Sequence, residues 1–152
     1  MDFIIESFSF DWKVASVDFL RIGLAFALAI PIGWERHESS KNLGLRTFPI
    51  VAMAACGFML IAKNVPGADA ETHARLIQGL IGGIGFIGGG AILKEGTNVK
   101  GLATAASIWG TGAIGAAVAF EREEIAVVLS LIMFLTLRVL TPIAKSNGDN
   151  DS

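Results

Sequence analysis

Tyrosine is absent from the 152 residues, cysteine occurs once, histidine twice and proline four times. The lone Cys56 excludes an internal disulfide framework and a cysteine-rich zinc site. His37 and His73 leave little for a histidine-based metal centre. Charge is scarce too. Asp, Glu, Lys and Arg make up 17% of the chain, where a soluble domain carries about 25%. A net charge of −2 offers no basic field, so no nucleic-acid partner is expected. Apolar residues fill the chain instead, at 53%, with a mean hydropathy of +0.61. The length suits one domain. These values point to a lipid bilayer and away from a soluble enzyme.

Charge-poor runs define five segments: Ile22–Trp34 (extended outward by Phe19, Leu20 and Arg21), Thr47–Ala62, Leu76–Leu93, Gly101–Phe120, and Ile125–Leu137 continuing past Arg138 to Ala144. A spanning helix needs about 20 mostly apolar residues. The third and fourth satisfy this outright. The first and fifth do so by carrying one arginine near an end, which can snorkel to the headgroups. The second is short. The expected fold is therefore all-α, an integral membrane bundle of about five transmembrane helices. A soluble domain is set aside, because 152 residues cannot enclose five helices that are apolar all round.

Residues 1–17 interleave Phe3, Ile4, Phe8, Phe10 and Trp12 with Glu6, Asp11 and Lys13, as in a short helix lying on a membrane surface. A frayed terminus is the alternative. Asp2 and Glu6 stand where a signal peptide would be basic. Residues 18–144 form the transmembrane domain, and 145–152 are expected to be a disordered polar tail. With five spans, seven Lys and Arg (36, 41, 46, 94, 100, 138, 145) fall on one side and five (13, 21, 63, 75, 122) on the other. Basic residues favour the cytoplasmic side. The N-terminus is thus expected outside and the C-terminus in the cytoplasm.

Twelve of the 18 glycines lie between Gly79 and Gly115. Gly79/Gly83 and Gly85/Gly89 have GxxxG spacing, which lets helix backbones approach closely in lipid. Gly79, Gly83, Gly85, Gly88, Gly89 and Gly90 are therefore read as packing residues, against this chain or another copy. The Gly88–Gly90 run either packs closely or lets the helix unwind. Gly83-Ile-Gly85-Phe-Ile-Gly88 matches the dinucleotide fingerprint GxGxxG, but no strand precedes it and no acidic residue follows about 20 residues later, so the match is rejected.

The alternation of the spans brings several charges to the cytoplasmic end. The candidate functional cluster is Glu35, Arg36, Gly44, Arg46, Thr47, Lys94, Glu95, Asn98, Gly101 and Thr104. Solvated loop charges are the plain reading. A polar site between helices is the sharper one, in which Glu35 or Glu95 meets a cation, or Arg36 and Arg46 grip a carboxylate. Glu35 and Glu95 are the only carboxylates offered for a hydrated magnesium ion, and no metal site is assigned on them. Thr104, Ser107 and Thr111 share one helix face and either bond to their own helix or line a path. Arg138 either snorkels, pairs with an acid or meets a headgroup. Trp109 is expected to pack inside. No catalytic constellation and no cofactor are found.

The blocks Gly33-Trp-Glu35-Arg36, Gly44-Leu-Arg46-Thr47, Gly83 to Gly90, and Asn98-Val-Lys-Gly101-Leu-Ala-Thr104 through Trp109 resemble the MgtC/SapB family in order and spacing, over roughly residues 20–140. The resemblance implies a bacterial inner-membrane bundle linked to adaptation to low magnesium and to survival inside host cells. It implies a regulatory role, including restraint of a membrane complex such as the F-type ATP synthase. The alternative is a small magnesium transporter or channel. The bilayer, another membrane complex and a second copy of the chain are the partners considered. The founding type carries a cytoplasmic C-terminal domain, whereas this chain is read as the N-terminal transmembrane part. Functions of that soluble domain are not carried over. Ala103 and Gly89 also depart from the family pattern.

Overall fold

The computed structural model describes residues 11–39, 44–67, 69–96 and 98–148. The class is all-α, with five helices among the described residues: α1 Trp12–Ser39, α2 Thr47–Lys63, α3 Ala70–Gly90, α4 Leu102–Ala119 and α5 Glu123–Gly148. One feature is added to the expected bundle. Between α3 and α4, β1 Leu93–Glu95 and β2 Asn98–Lys100 pair antiparallel, with Leu93 opposite Lys100. Gly96 takes a positive φ of 62° in the connecting turn.

Helix ends follow local chemistry. The Asp11 carboxylate accepts from the backbone N–H of Lys13 at 2.9 Å and starts α1. Trp12–Val17 continue into α1 without a break, so the expected boundary at residue 17 is not a helix end. Residues 1–10 of the proposed interfacial segment lie outside the described residues. In α2, Pro49 sits in the first turn, where its missing N–H would have had no intrahelical partner. Asp69 caps α3, accepting from the Thr72 N–H at 2.8 Å. At its other end α5 runs through Gly148. The polar tail expected from Lys145 thus begins as helix, because Lys, Ser and Asn can extend a helix already formed. Residues 149–152 lie outside the described residues.

The axis of the fold is α4, which packs against each of the other four helices. Its buried face carries Thr104, Ser107, Ile108, Thr111, Gly112, Ile114, Gly115 and Val118. Two glycines permit the closest contacts. A Cβ on Gly112 would strike the Ile84 side chain of α3, and a Cβ on Gly115 would strike the backbone carbonyl of Ala52 in α2. The core gathers Ala25, Ala29 and Ile32 of α1 with Phe48, Ala52 and Met59 of α2 and Ile114 and Val118 of α4. Trp109, expected inside, is 54% exposed, since the inward face of α4 belongs to its small residues.

The outer surface is apolar. Phe19, Leu20, Phe58, Ile61, Phe86, Leu131 and Ile132 are all more than half exposed. Pro31 lies inside the continuous α1. Proline lacks an N–H and its ring crowds the preceding turn. There Ser130 of α5 donates its hydroxyl to the Leu28 carbonyl at 2.7 Å. That bond ties α5 to α1 just ahead of the proline.

Candidate functional site

Two glycines shape the end of α1. A Cβ on Gly33 would lie 3.0 Å from the Gly44 carbonyl oxygen, and one on Gly44 would run into the Gly33 carbonyl and the His37 N–H. Only glycines at both positions let the chain ahead of α2 lie this close to α1. Beneath this contact Glu35 and Arg36 are buried, at 6% and 5% exposure, while Trp34 points outward.

Arg138 of α5 donates to the Glu35 carboxylate, Nη1 to Oε2 at 3.2 Å. The two side chains differ sharply: Glu35 is 8% exposed and Arg138 is 60% exposed. A carboxylate out of water is costly unless it is paired. Solvent at Arg138 weakens the attraction without removing it. The buried guanidinium of Arg36 lies next in sequence.

The other expected members of the cluster fall around the same end of the bundle, in different surroundings. Arg46 is the N-cap of α2 and its side chain does not cap the helix. It is exposed, and Thr47 is half-buried. Lys94 is exposed on β1. Gly101 has φ +90° and sits against the Ala91 carbonyl, closing the hairpin onto the start of α4. Thr104 is buried. Ser107 donates to the Ala103 carbonyl and Thr111 to the Ser107 carbonyl, both at 2.7 Å and both within α4. The backbone pairs Glu95 with Asn98 in the hairpin, and their side chains lie outside the described residues. Among the described residues the ion pair of Glu35 is with Arg138, not with Arg46 or Lys94. No group of three or more His, Cys, Asp or Glu side chains comes together among the described residues.

The glycines of α3 differ in what surrounds them within this chain. Only Gly88 meets close neighbours, with a built Cβ 3.1 Å from the Ala105 carbonyl of α4. At Gly79, Gly83, Gly85, Gly89 and Gly90 a Cβ would meet nothing within 4 Å. These five are exposed and do not pack tightly inside this chain, Gly79 and Gly83 bordering a gap beside α2. The helix also continues through Gly90 without unwinding.

A second charged group, unforeseen in the sequence, closes the opposite end. Glu121 in the turn between α4 and α5 accepts from Arg21 of α1 at 2.7 Å and from Lys63 of α2 at 2.9 Å. Lys63 also donates to the Ala119 carbonyl at 3.2 Å. Glu121 has φ +58°. The Glu121 N–H bonds the Val118 carbonyl and the Arg122 N–H the Ala117 carbonyl, the bonding of a Schellman cap. Glycine usually holds that position, but glycine could not bridge α1 and α2. The hydrogen bond and charge of Lys63, followed by the charge of Arg21, hold the Glu121 carboxyl below its ordinary range.

The MgtC family model matches residues 22–146. Protein MgtC of Brucella abortus (strain 2308) is 34% identical over 134 residues, covering 88% of this chain and 56% of its own. Putative magnesium transporter YhiD of Escherichia coli (strain K12) is 35% identical over 126 residues, covering 79% and 59%. Protein SrpB of Synechococcus elongatus is 32% identical over 139 residues, covering 84% and 75%. No solved structure matches the chain. With a match this long and relatives above 30% identity, the chain belongs to the MgtC family. It spans little more than half the length of the Brucella and Escherichia relatives.

Proposed function

We propose that the chain is a multi-pass protein of the bacterial inner membrane that serves magnesium homeostasis by regulating another membrane complex. The membrane reading is supported by the apolar outer surface and by the helices Trp12–His37 and Leu102–Ala119, each long and apolar enough to cross a bilayer. Thr47–Lys63 is shorter and apolar. At 1.5 Å per residue, the 21 residues of α3 and the 26 of α5 reach about 32 and 39 Å against a hydrocarbon core of about 30 Å. The balance of Lys and Arg favours the N-terminus outside and the C-terminus in the cytoplasm. The link to magnesium rests on the family and on the name of the Escherichia relative.

The observation that carries regulation over transport is the Glu35–Arg138 pair. The buried carboxylate is already countered by Arg138 and is not free to meet a divalent cation. The exposed Arg46 at the same end of the bundle suits a carboxylate of a partner, which arginine can hold by two parallel hydrogen bonds. Family resemblance makes the F-type ATP synthase the first partner to test. Transport remains the second reading, favoured by the name of the Escherichia relative. Magnesium flux into sealed proteoliposomes separates the two, with wild type beside Glu35→Ala and protein-free controls. The regulatory reading expects no flux above protein-free vesicles, and copurification of a membrane complex that Arg46→Ala abolishes while membrane insertion is retained. Flux that Glu35→Ala removes would replace regulation by transport.

A further inference from the structure

The helices α2 and α3 meet only lightly, and between them runs a groove of about 590 Å³. Its walls include Ile50, Phe58, Val65, Leu76 and Ile87, and Gly79 and Gly83 give it width. Among the described residues one charged residue lines it, Arg75, which Glu71 contacts at 2.6 Å. We infer that this groove holds one acyl chain of a zwitterionic aminophospholipid, with the phosphate at Arg75 and the ammonium at Glu71. The inference rests on the membrane reading above.

Three observations select this occupant. The first is length. Arg75 and Ile87 are twelve residues apart on α3, about 18 Å along the axis. That is close to one leaflet, half of a hydrocarbon core of about 30 Å. A spanning helix from a second copy would need a groove of the full depth. The second is where the charge lies. Everything lining the groove below Arg75 is uncharged, and Arg75 stands one and a half turns inside the start of α3. In the proposed orientation this is the outer boundary of the membrane, where a headgroup lies. The third is charge complementarity. Arg75 and Glu71 are 76% and 70% exposed, and an exposed i, i+4 pair holds its partners weakly. A phosphate and an ammonium on one headgroup can take up both members, leaving no charge uncompensated. An anionic headgroup would leave Glu71 facing like charge.

The experiment uses the full chain, purified in detergent and stripped of lipid. Palmitoyl-oleoyl-phosphatidylethanolamine, the matching phosphatidylglycerol and the matching diacylglycerol are each titrated in native mass spectrometry. One phosphatidylethanolamine per chain is expected, held at least tenfold more tightly than either of the others. Gly83→Leu should weaken it at least tenfold. A Cβ at Gly83 meets nothing within 4 Å, so this variant fills the groove and leaves the bundle intact. Circular dichroism and the melting temperature check that, and Gly79→Leu provides a second filling variant. Arg75→Gln should remove the preference over diacylglycerol. Unchanged binding in both leucine variants would overturn the assignment, as would tighter binding of phosphatidylglycerol. A wild-type dimer that Gly83→Leu dissociates would give the groove to a second copy instead. Carbonate-washed membranes separate the two levels. A chain retained there that binds no phospholipid refutes the groove assignment alone, whereas a chain washed out refutes the membrane reading as well.

Discussion

Replacing Gly115 by alanine should destabilise the protein, and replacing Gly85 by alanine should stabilise it. Both residues are interior helical glycines, and in either case alanine improves intrinsic helix propensity by about 1 kcal/mol. Their surroundings are opposite. At Gly85 the new methyl group enters open space. At Gly115 it meets the Ala52 carbonyl and the Ala55 Cβ, so two packed helices must separate. Overpacking of a well-filled core costs about 1–3 kcal/mol or more, and a backbone neighbour puts this case at about 3. After the propensity gain, Gly115→Ala should lose about 2 kcal/mol. For a chain of this size each kcal/mol moves the melting temperature by about 2–4 °C. In detergent, unfolding followed by circular dichroism should fall by about 4–8 °C for Gly115→Ala and rise by about 2–4 °C for Gly85→Ala. Equal shifts in the same direction would refute the reasoning, because propensity would then outweigh where each glycine points.

Arg138→Ala should cost more than the double variant Glu35→Gln/Arg138→Ala, because the single change leaves a buried carboxylate without its guanidinium; chemical denaturation of the four-member cycle measures the coupling, expected at about 1–2 kcal/mol given the exposed arginine. Ser130→Ala should lower stability by about 1 kcal/mol by removing the donor to Leu28, and Ser130→Thr should recover part of it in the same melts. The Glu121 carboxyl is depressed in the folded chain, so its contribution is complete above the ordinary value of 4.5 and is lost as the pH falls through the lower folded value. Glu121→Gln should flatten that acid limb in melts taken between about pH 5 and 3. A limb of unchanged slope would show that other carboxylates dominate it.

The number and order of helices are legible in the sequence because each has a run of apolar residues long enough to stand out. Helix α4 shows this best: Gly101–Phe120 is the span expected and Leu102–Ala119 the helix observed. Hydropathy fixes the apolar middle of a helix and not its ends. So α1 begins at Trp12, where an aspartate cap starts it, and α5 extends into polar sequence. The hairpin escapes notice because strands of three residues are too short to display a period. Of the site, Glu35 and Arg36 are legible as charges closing an apolar run, but the partner of Glu35 lies 103 residues away and no spacing reveals it. Glycine spacing likewise finds places where helices can approach without saying which face turns inward. Gly112 and Gly115 turn inward and the pairs on α3 do not. Nothing in the sequence marks Glu121, whose backbone calls for glycine and whose side chain joins two helices.

The central place of α4 has a consequence for biogenesis. A ribosome delivers α1, α2 and α3 to the membrane first, yet the notches that seat Ile84 and the Ala52 backbone are on α4. The first two helices can pack on each other as they emerge, but the third, which meets the second only lightly, waits for the fourth, and that part of the interior sets late. A nascent chain arrested before residue 102 should stay open to proteases and crosslinkers. One arrested after the turn at Glu121 has left the exit tunnel far enough to close should be protected. Quality control of this small protein would then act within a short window of synthesis, timed by the emergence of a single glycine-notched helix.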